Sequence, residues 1–226
     1  MFDGSMLKVQ GSVWVCWLAL AVTAAGAETN APVRALGAGR FAVGLVTLDQ
    51  TNRTVCFPAS VNLREETIEY VVVHKSGKTH ESLFRTDARP QDIHVAMLLL
   101  GARPVMTNFF GADGQALPQG SAVTIEANWT NKSASVRCPV EDLVLNKESR
   151  HPMPRGQWIY NGSNFSESAF TAERDGSIVS THIDPDALIN NPWPGRENDD
   201  LYQPNTDKLP PMGTPVEIII RLLPAK

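Results

Sequence analysis

Apolar and polar positions along this chain recur with a period of two far more often than 3.6. Residues 121–129 alternate without a break, Val123, Ile125, Ala127 and Trp129 on one side, Thr124, Glu126 and Asn128 on the other. Successive side chains of an extended chain point to opposite faces, so this is a strand with one buried face. Residues 41–48, 54–57, 68–74, 78–85, 169–173, 178–183 and 216–222 read as further short strands, rich in Val, Ile, Phe and Tyr and bounded by turn residues. Ser76-Gly77 predicts a tight hairpin between 68–74 and 78–85, and Asp175-Gly176 a second one between 169–173 and 178–183. In the first hairpin His74 would oppose Thr79, Val73 His80 and Val72 Glu81, which sets His80 and Glu81 on opposite faces.

One stretch breaks the pattern. Pro90 suits the first helical position, Asp92 the positive first turn and Gly101 the position just past the end. Between them Ile93, Val95, Ala96, Met97, Leu98, Leu99 and Leu100 are apolar nearly all round, which predicts a buried helix of about eleven residues lying on the sheet that carries 68–85. Residues 190–215 hold six prolines and read as a long irregular connection. Strands and helices do not alternate, and there is no glycine-rich phosphate loop. The fold class is therefore mainly β or α+β: antiparallel sheets, as a sandwich or partly open barrel, with one short buried helix at about 90–100.

The N-terminal residues have a different logic. Lys8 precedes an apolar run at 13–22, and Ala25-Gly26-Ala27 offers small residues for a cleavage site. Ten apolar residues make a helix of about 15 Å, half a hydrocarbon core, so the run predicts an export signal and no stable membrane span. The expected organisation is a signal peptide at 1–27, a flexible leader at 28–39 and a single domain at 40–226, located after cleavage in the periplasm or cell envelope. The formal net charge of −4, with no basic stripe, argues against nucleic acid or an anionic membrane as partner. Cys56 and Cys138 would remain. In an oxidising compartment they are candidates for one disulfide, worth at most about 4–5 kcal/mol; the alternative is two separate buried thiols, each a small hydrophobe. No CxxC or zinc spacing occurs.

Candidate chemistry concentrates in 74–101. His80 and His94, with Glu81 or Asp87, could surround a divalent metal or form an acid–base pair. The plainer reading, which we favour, is a hydrogen-bonded corner between strand and helix. Ser82 lacks the glycine elbow of a nucleophile. Glu197, Asp199 and Asp200, with Asp184 and Asp186 upstream, supply oxygen ligands suited to calcium, but their spacing is not that of an EF-hand, and a solvated acidic loop accounts for them. Trp193, between two prolines, reads as a plug that pins the long connection onto the sheet.

Several segments carry a resemblance. Within 54–104 these are Phe57-Pro58-Ala59, Gly77-Lys78-Thr79-His80-Glu81-Ser82 and the Pro90 to Gly101 helix; later come Trp158-Ile159-Tyr160-Asn161-Gly162-Ser163, Asp175-Gly176-Ser177, Asn198-Asp199-Asp200 and Gly213-Thr214-Pro215-Val216. Together they resemble the YdjY-like family of exported bacterial proteins. The resemblance implies a cell-envelope location and brings no established reaction. Some relatives are joined to iron–sulfur modules; this chain has no cysteine motif for a cluster, so a redox role would require a redox partner. Two functions follow as expectations. The first is a non-catalytic exported binding or accessory module, without a resident cofactor, that takes a protein or small ligand at the helix-capped edge of its sheet. The second is a metal-dependent or acid–base enzyme built on His80, Glu81 and His94.

Overall fold

The computed structural model describes Met1 and residues 33–105, 119–166 and 169–224. The expected export signal, Met1 aside, and residues 28–32 of the expected leader lie outside these residues. The described residues from 33 to 224 form one compact unit.

The described chain begins as an antiparallel meander, β1 (Arg34–Gly37), β2 (Arg40–Val43) and β3 (Val46–Asp49), which runs into β4 (Thr54–Val61). Next come β5 (Tyr70–His74), β6 (Ser82–Thr86) and α1 (Pro90–Leu99), followed by β7 (Ser121–Asn131), β8 (Ala134–Pro139), β9 (Val144–Asn146) and β10 (Trp158–Tyr160). The remainder holds β11 (Phe165–Ser166), β12 (Ala169–Phe170), α2 (Thr171–Asp175), β13 (Ser177–Ser180), β14 (Ile189–Asn190), β15 (Tyr202–Pro204) and β16 (Pro215–Leu222). Eight strands close into a ring in the order β4-β16-β7-β10-β14-β13-β5-β6 and back to β4, with β1–β3 extending from β4 and β8 from β7. The β architecture is thus a closed barrel-like sheet, and closure leaves the eight strands no open flank within the ring. Phe57, Phe84, Ile125, Trp158 and Ile218 are buried in its core. The alternation at 121–129 is as the sequence predicts: Val123, Ile125, Ala127 and Trp129 are all buried.

A proline sits at the point of closure. Along the same edge of β4, β3 pairs with Thr54–Cys56 and β6 with Ser60 and Val61. Pro58 sits in the seam, where it has no N–H to leave unmet, and its carbonyl accepts a 2.5 Å hydrogen bond from Thr86 Oγ1. The predicted strand 54–57 therefore continues through a proline to Val61.

Several expectations change. Residues 68–74 and 78–85 are not a hairpin: β5 and β6 run parallel, Tyr70 beside Ser82 and Val72 beside Phe84. Gly77 serves a close backbone approach, since a Cβ there would lie 2.7 Å from the Asp175 carbonyl oxygen. The chain returns through the 3-10 turn Thr79–Glu81, held by Asn62 Nδ2 donating to the carbonyls of Thr79 and Ser82. β13 and β14 are also parallel, so the sheet is not purely antiparallel. Asp175-Gly176 closes no hairpin; Gly176, at φ +73°, ends α2 in the left-handed conformation. Residues 41–48 split at Gly44, where a side chain would collide with the Asp92 carboxylate. The expected leader includes β1, with Arg34 opposite Ala42.

α1 starts at Pro90 as predicted, but it is not buried all round. Pro90, Ile93, Ala96 and Met97 are covered, chiefly by β2, β3, β4 and α2, whereas Leu98 and Leu99 are 43% and 44% exposed. The 190–215 connection contains β15, which pairs with β9 and buries Leu201 and Tyr202.

Cys56 and Cys138 are both free. β16 and β7 lie between their strands, a separation of about 14 Å at normal strand spacing, against the roughly 7 Å limit for a bridge. They also face opposite ways. Cys56 shares a row with Ile219 and Glu126, and Cys138 shares the neighbouring row with Ala127, Ile218 and Phe57. The expected disulfide is replaced by two half-buried thiols whose pKa values burial pushes up.

Candidate functional site

The return between β5 and β6 places His80 and Glu81 side by side in one turn rather than on opposite faces, His80 Nε2 lying 3.5 Å from Glu81 Oε2. Lys78 holds the turn down. Its Nζ donates to Tyr70 Oη at 3.1 Å and lies 3.4 Å from Glu81 and 3.8 Å from Glu69. Tyr70 Oη in turn donates to Asp184 Oδ2 at 2.9 Å. Burial, then the charge of Asp184, raises the Tyr70 pKa far above the usual phenol value, so it remains a donor.

The second acidic set arrives at the same place from the far end of the chain. β15 pairs with β9, and Lys147, just after β9, donates its main-chain N–H to the Leu201 carbonyl. Asp200 then accepts hydrogen bonds from Lys147 Nζ at 2.5 Å and Thr67 Oγ1 at 3.0 Å; Lys147 first, Thr67 second, hold its pKa below the usual range. The result is an open cleft of about 390 Å³ lined by Glu66, Thr67, Glu69, His80, Glu81, Asp199 and Asp200. Burial first, then the negative charge of Glu81, raises the Glu69 pKa.

The other candidates are elsewhere. His94, half-buried on α1, has its Nδ1 2.8 Å from Tyr160 Oη and its ring 4.9 Å from Phe170. Burial lowers the His94 pKa and raises that of Tyr160, so the phenol donates to a neutral imidazole. Asp87 is exposed and pairs with Lys75 at 2.7 Å; Glu197 pairs with Arg196 at 3.3 Å. Ser82 is buried and donates to the Phe84 carbonyl. Trp193 packs edge-on against Trp158 and over Gly156, which pins the long connection. Among the described residues no group of three or more His, Cys, Asp or Glu side chains is arranged to hold a metal ion.

Two features carry no signal in the sequence. The first is a pair of adjacent acids in the 3-10 turn Val140–Leu143. Glu141 is 2% exposed; its Oε1 accepts from Trp158 Nε1 at 3.2 Å and the Gly156 N–H at 3.3 Å, while Oε2 has no protein partner among the described residues. Burial pushes its pKa up. Asp142 beside it is held low, first by a two-point hydrogen bond with Arg155 and then by Lys208. The second feature is a cavity of about 720 Å³ where α1 gives way to β7. Arg53, Arg103, Gln119, Ser121 and Gln157 line it, with Leu222 to Pro224 at the exit of β16.

Residues 46–221 of the chain match the YdjY domain. The chain belongs to the YdjY family. The YdjY match takes in β3 and the whole closed ring as far as Arg221 in β16, together with both the acidic cleft and His94. Comparisons with characterised proteins and with solved structures returned no match.

Proposed function

We propose that this YdjY protein is an exported, non-catalytic binding or accessory module of the bacterial cell envelope, and that it takes a small ligand in the cavity at the end of α1. One observation carries the reading. The described lining of that cavity has no histidine, cysteine, lysine, aspartate or glutamate, and its one hydroxyl, Ser121 Oγ, is engaged by the Arg103 backbone N–H at 2.8 Å. A described lining of ligand-binding volume that offers two guanidiniums, two side-chain amides and apolar side chains is suited to holding a molecule. The export half of the proposal rests on the apolar run at 13–22 and the small residues at 25–27.

The competing enzyme needs His80, Glu81 and His94 at one centre. His80 and Glu81 line the acidic cleft, but His94 is committed to Tyr160 beneath α1. Elemental analysis of the chain after dialysis against zinc or calcium tests the choice. The expected result is no stoichiometric retention of either metal. Retention of one equivalent, lost in His80→Ala, would replace the binding module with the metal-dependent alternative.

A further inference from the structure

We infer that the ligand of the α1-end cavity is a small organic molecule presenting an oxyanion, a carboxylate or phosphate group, to Arg53 and Arg103. The inference deepens the binding-module reading and rests on it. Both charged side chains in the described lining are arginines, in a chain whose overall formal charge is −4, so the described lining is opposite in sign to the chain as a whole. Guanidinium groups present parallel N–H donors that match the two oxygens of a carboxylate or phosphate.

The geometry fixes both arginines at the backbone. Arg53 sits in the turn between β3 and β4 at φ +54°, and its Nε donates to the Leu222 carbonyl at 3.3 Å, which anchors the base of the guanidinium at the cavity wall. Arg103 follows α1, and its backbone N–H is tied to Ser121 Oγ at the start of β7. The amides of Gln119 and Gln157 add neutral donors beside them. Gly101, at φ +85° just past α1, borders the space without a side chain of its own.

The rest of the described lining is mainly apolar, from Val105, Ala122, Leu222, Leu223 and Pro224. A volume of about 720 Å³ falls in the range that encloses a drug-sized molecule. An inorganic ion would leave most of it, and all of the apolar wall, to water. A ligand with an oxyanion at one end and an apolar body at the other satisfies both surfaces.

Isothermal titration of the purified chain with four matched probes tests this: benzoate, phenyl phosphate, benzamide and benzylamine. Benzoate or phenyl phosphate should bind, and whichever is tighter decides between the two oxyanions. Benzamide should bind at least tenfold more weakly, benzylamine more weakly still, and the anion's affinity should fall with added salt. Arg103→Gln and Arg53→Gln should each weaken the anion at least tenfold. The melting temperature of each variant, measured beside that of the parent, separates lost binding from lost folding. Anion binding unchanged in both variants would overturn the inference. Preference for benzamide or benzylamine would overturn it too, while leaving a binding module in place. No binding by any probe would also sink it, and the metal test would then decide the broader reading alone.

Discussion

Glu141 and His94 are both titratable groups removed from water, and their burial acts on stability with opposite signs along the pH scale. The Glu141 pKa is raised in the folded chain, so over the window that begins at the ordinary carboxylate value the folded state binds more protons than the unfolded one. Stability attributable to Glu141 is complete below that window and is lost as pH rises through it. The His94 pKa is lowered by burial, so the unfolded state takes up the proton first. Its contribution is complete above the ordinary imidazole value of about 6.5 and declines as pH falls below it. Glu141→Gln and His94→Gln keep an acceptor for Trp158 and Tyr160 respectively while removing the titration. Urea midpoints between pH 4 and 8 should show Glu141→Gln gaining on the parent as pH rises, and His94→Gln gaining as pH falls. Difference curves that stay level with pH would remove burial as the cause.

At the level of elements, α1 offers the clearest contrast. Met97 is fully buried and Leu99 is 44% exposed, although both belong to the same apolar run. Met97→Ala should cost about 2–5 kcal/mol by opening a cavity, and Leu99→Ala no more than about 0.5 kcal/mol; equal losses in chemical denaturation would mean that Leu99 is covered. The helix was legible in the sequence because its signals are local: Pro90 at the start, Gly101 beyond the end. β7 was legible because one of its faces is buried throughout, which imposes strict alternation. The direction of β6 was not, because it depends on the backbone of Gly77 touching Gly176, a contact between residues a hundred positions apart that leaves no periodic trace. Asp175-Gly176 misled for a related reason: a left-handed glycine suits both a hairpin turn and a helix end, and only the buried Thr171 and Ala172 decide for the helix. The two free flanks of the sheet are blunted by ordinary devices. β1 is short and carries an irregular register at Gly37, and β8 presents Arg137 and ends at Pro139.

For the whole molecule, the candidate sites were less legible than the fold. His80 and Asp200 share a cleft because β15 pairs with β9, and Arg53 and Arg103 share a cavity because β16 ends beside the turn before β4; neither pair forms a motif along the chain. The separation of Cys56 and Cys138 by two strands makes a further expectation. Adding dithiothreitol should leave the melting temperature within about 1 °C of its value without reductant, because there is no bridge to lose; a fall of several degrees would show that the thiols pair. The position of β16 has one more consequence, and it concerns time. The strand at residues 215–222 lies between β4 and β7, with Arg221 facing both Thr54 and Thr124, so the ring cannot close before residues 215–222 are available. Until then β4 and β7 each present an unsatisfied flank. Closing contacts this distant in sequence makes folding slow, on the order of milliseconds to seconds, and keeps the flanks of β4 and β7 open for that interval.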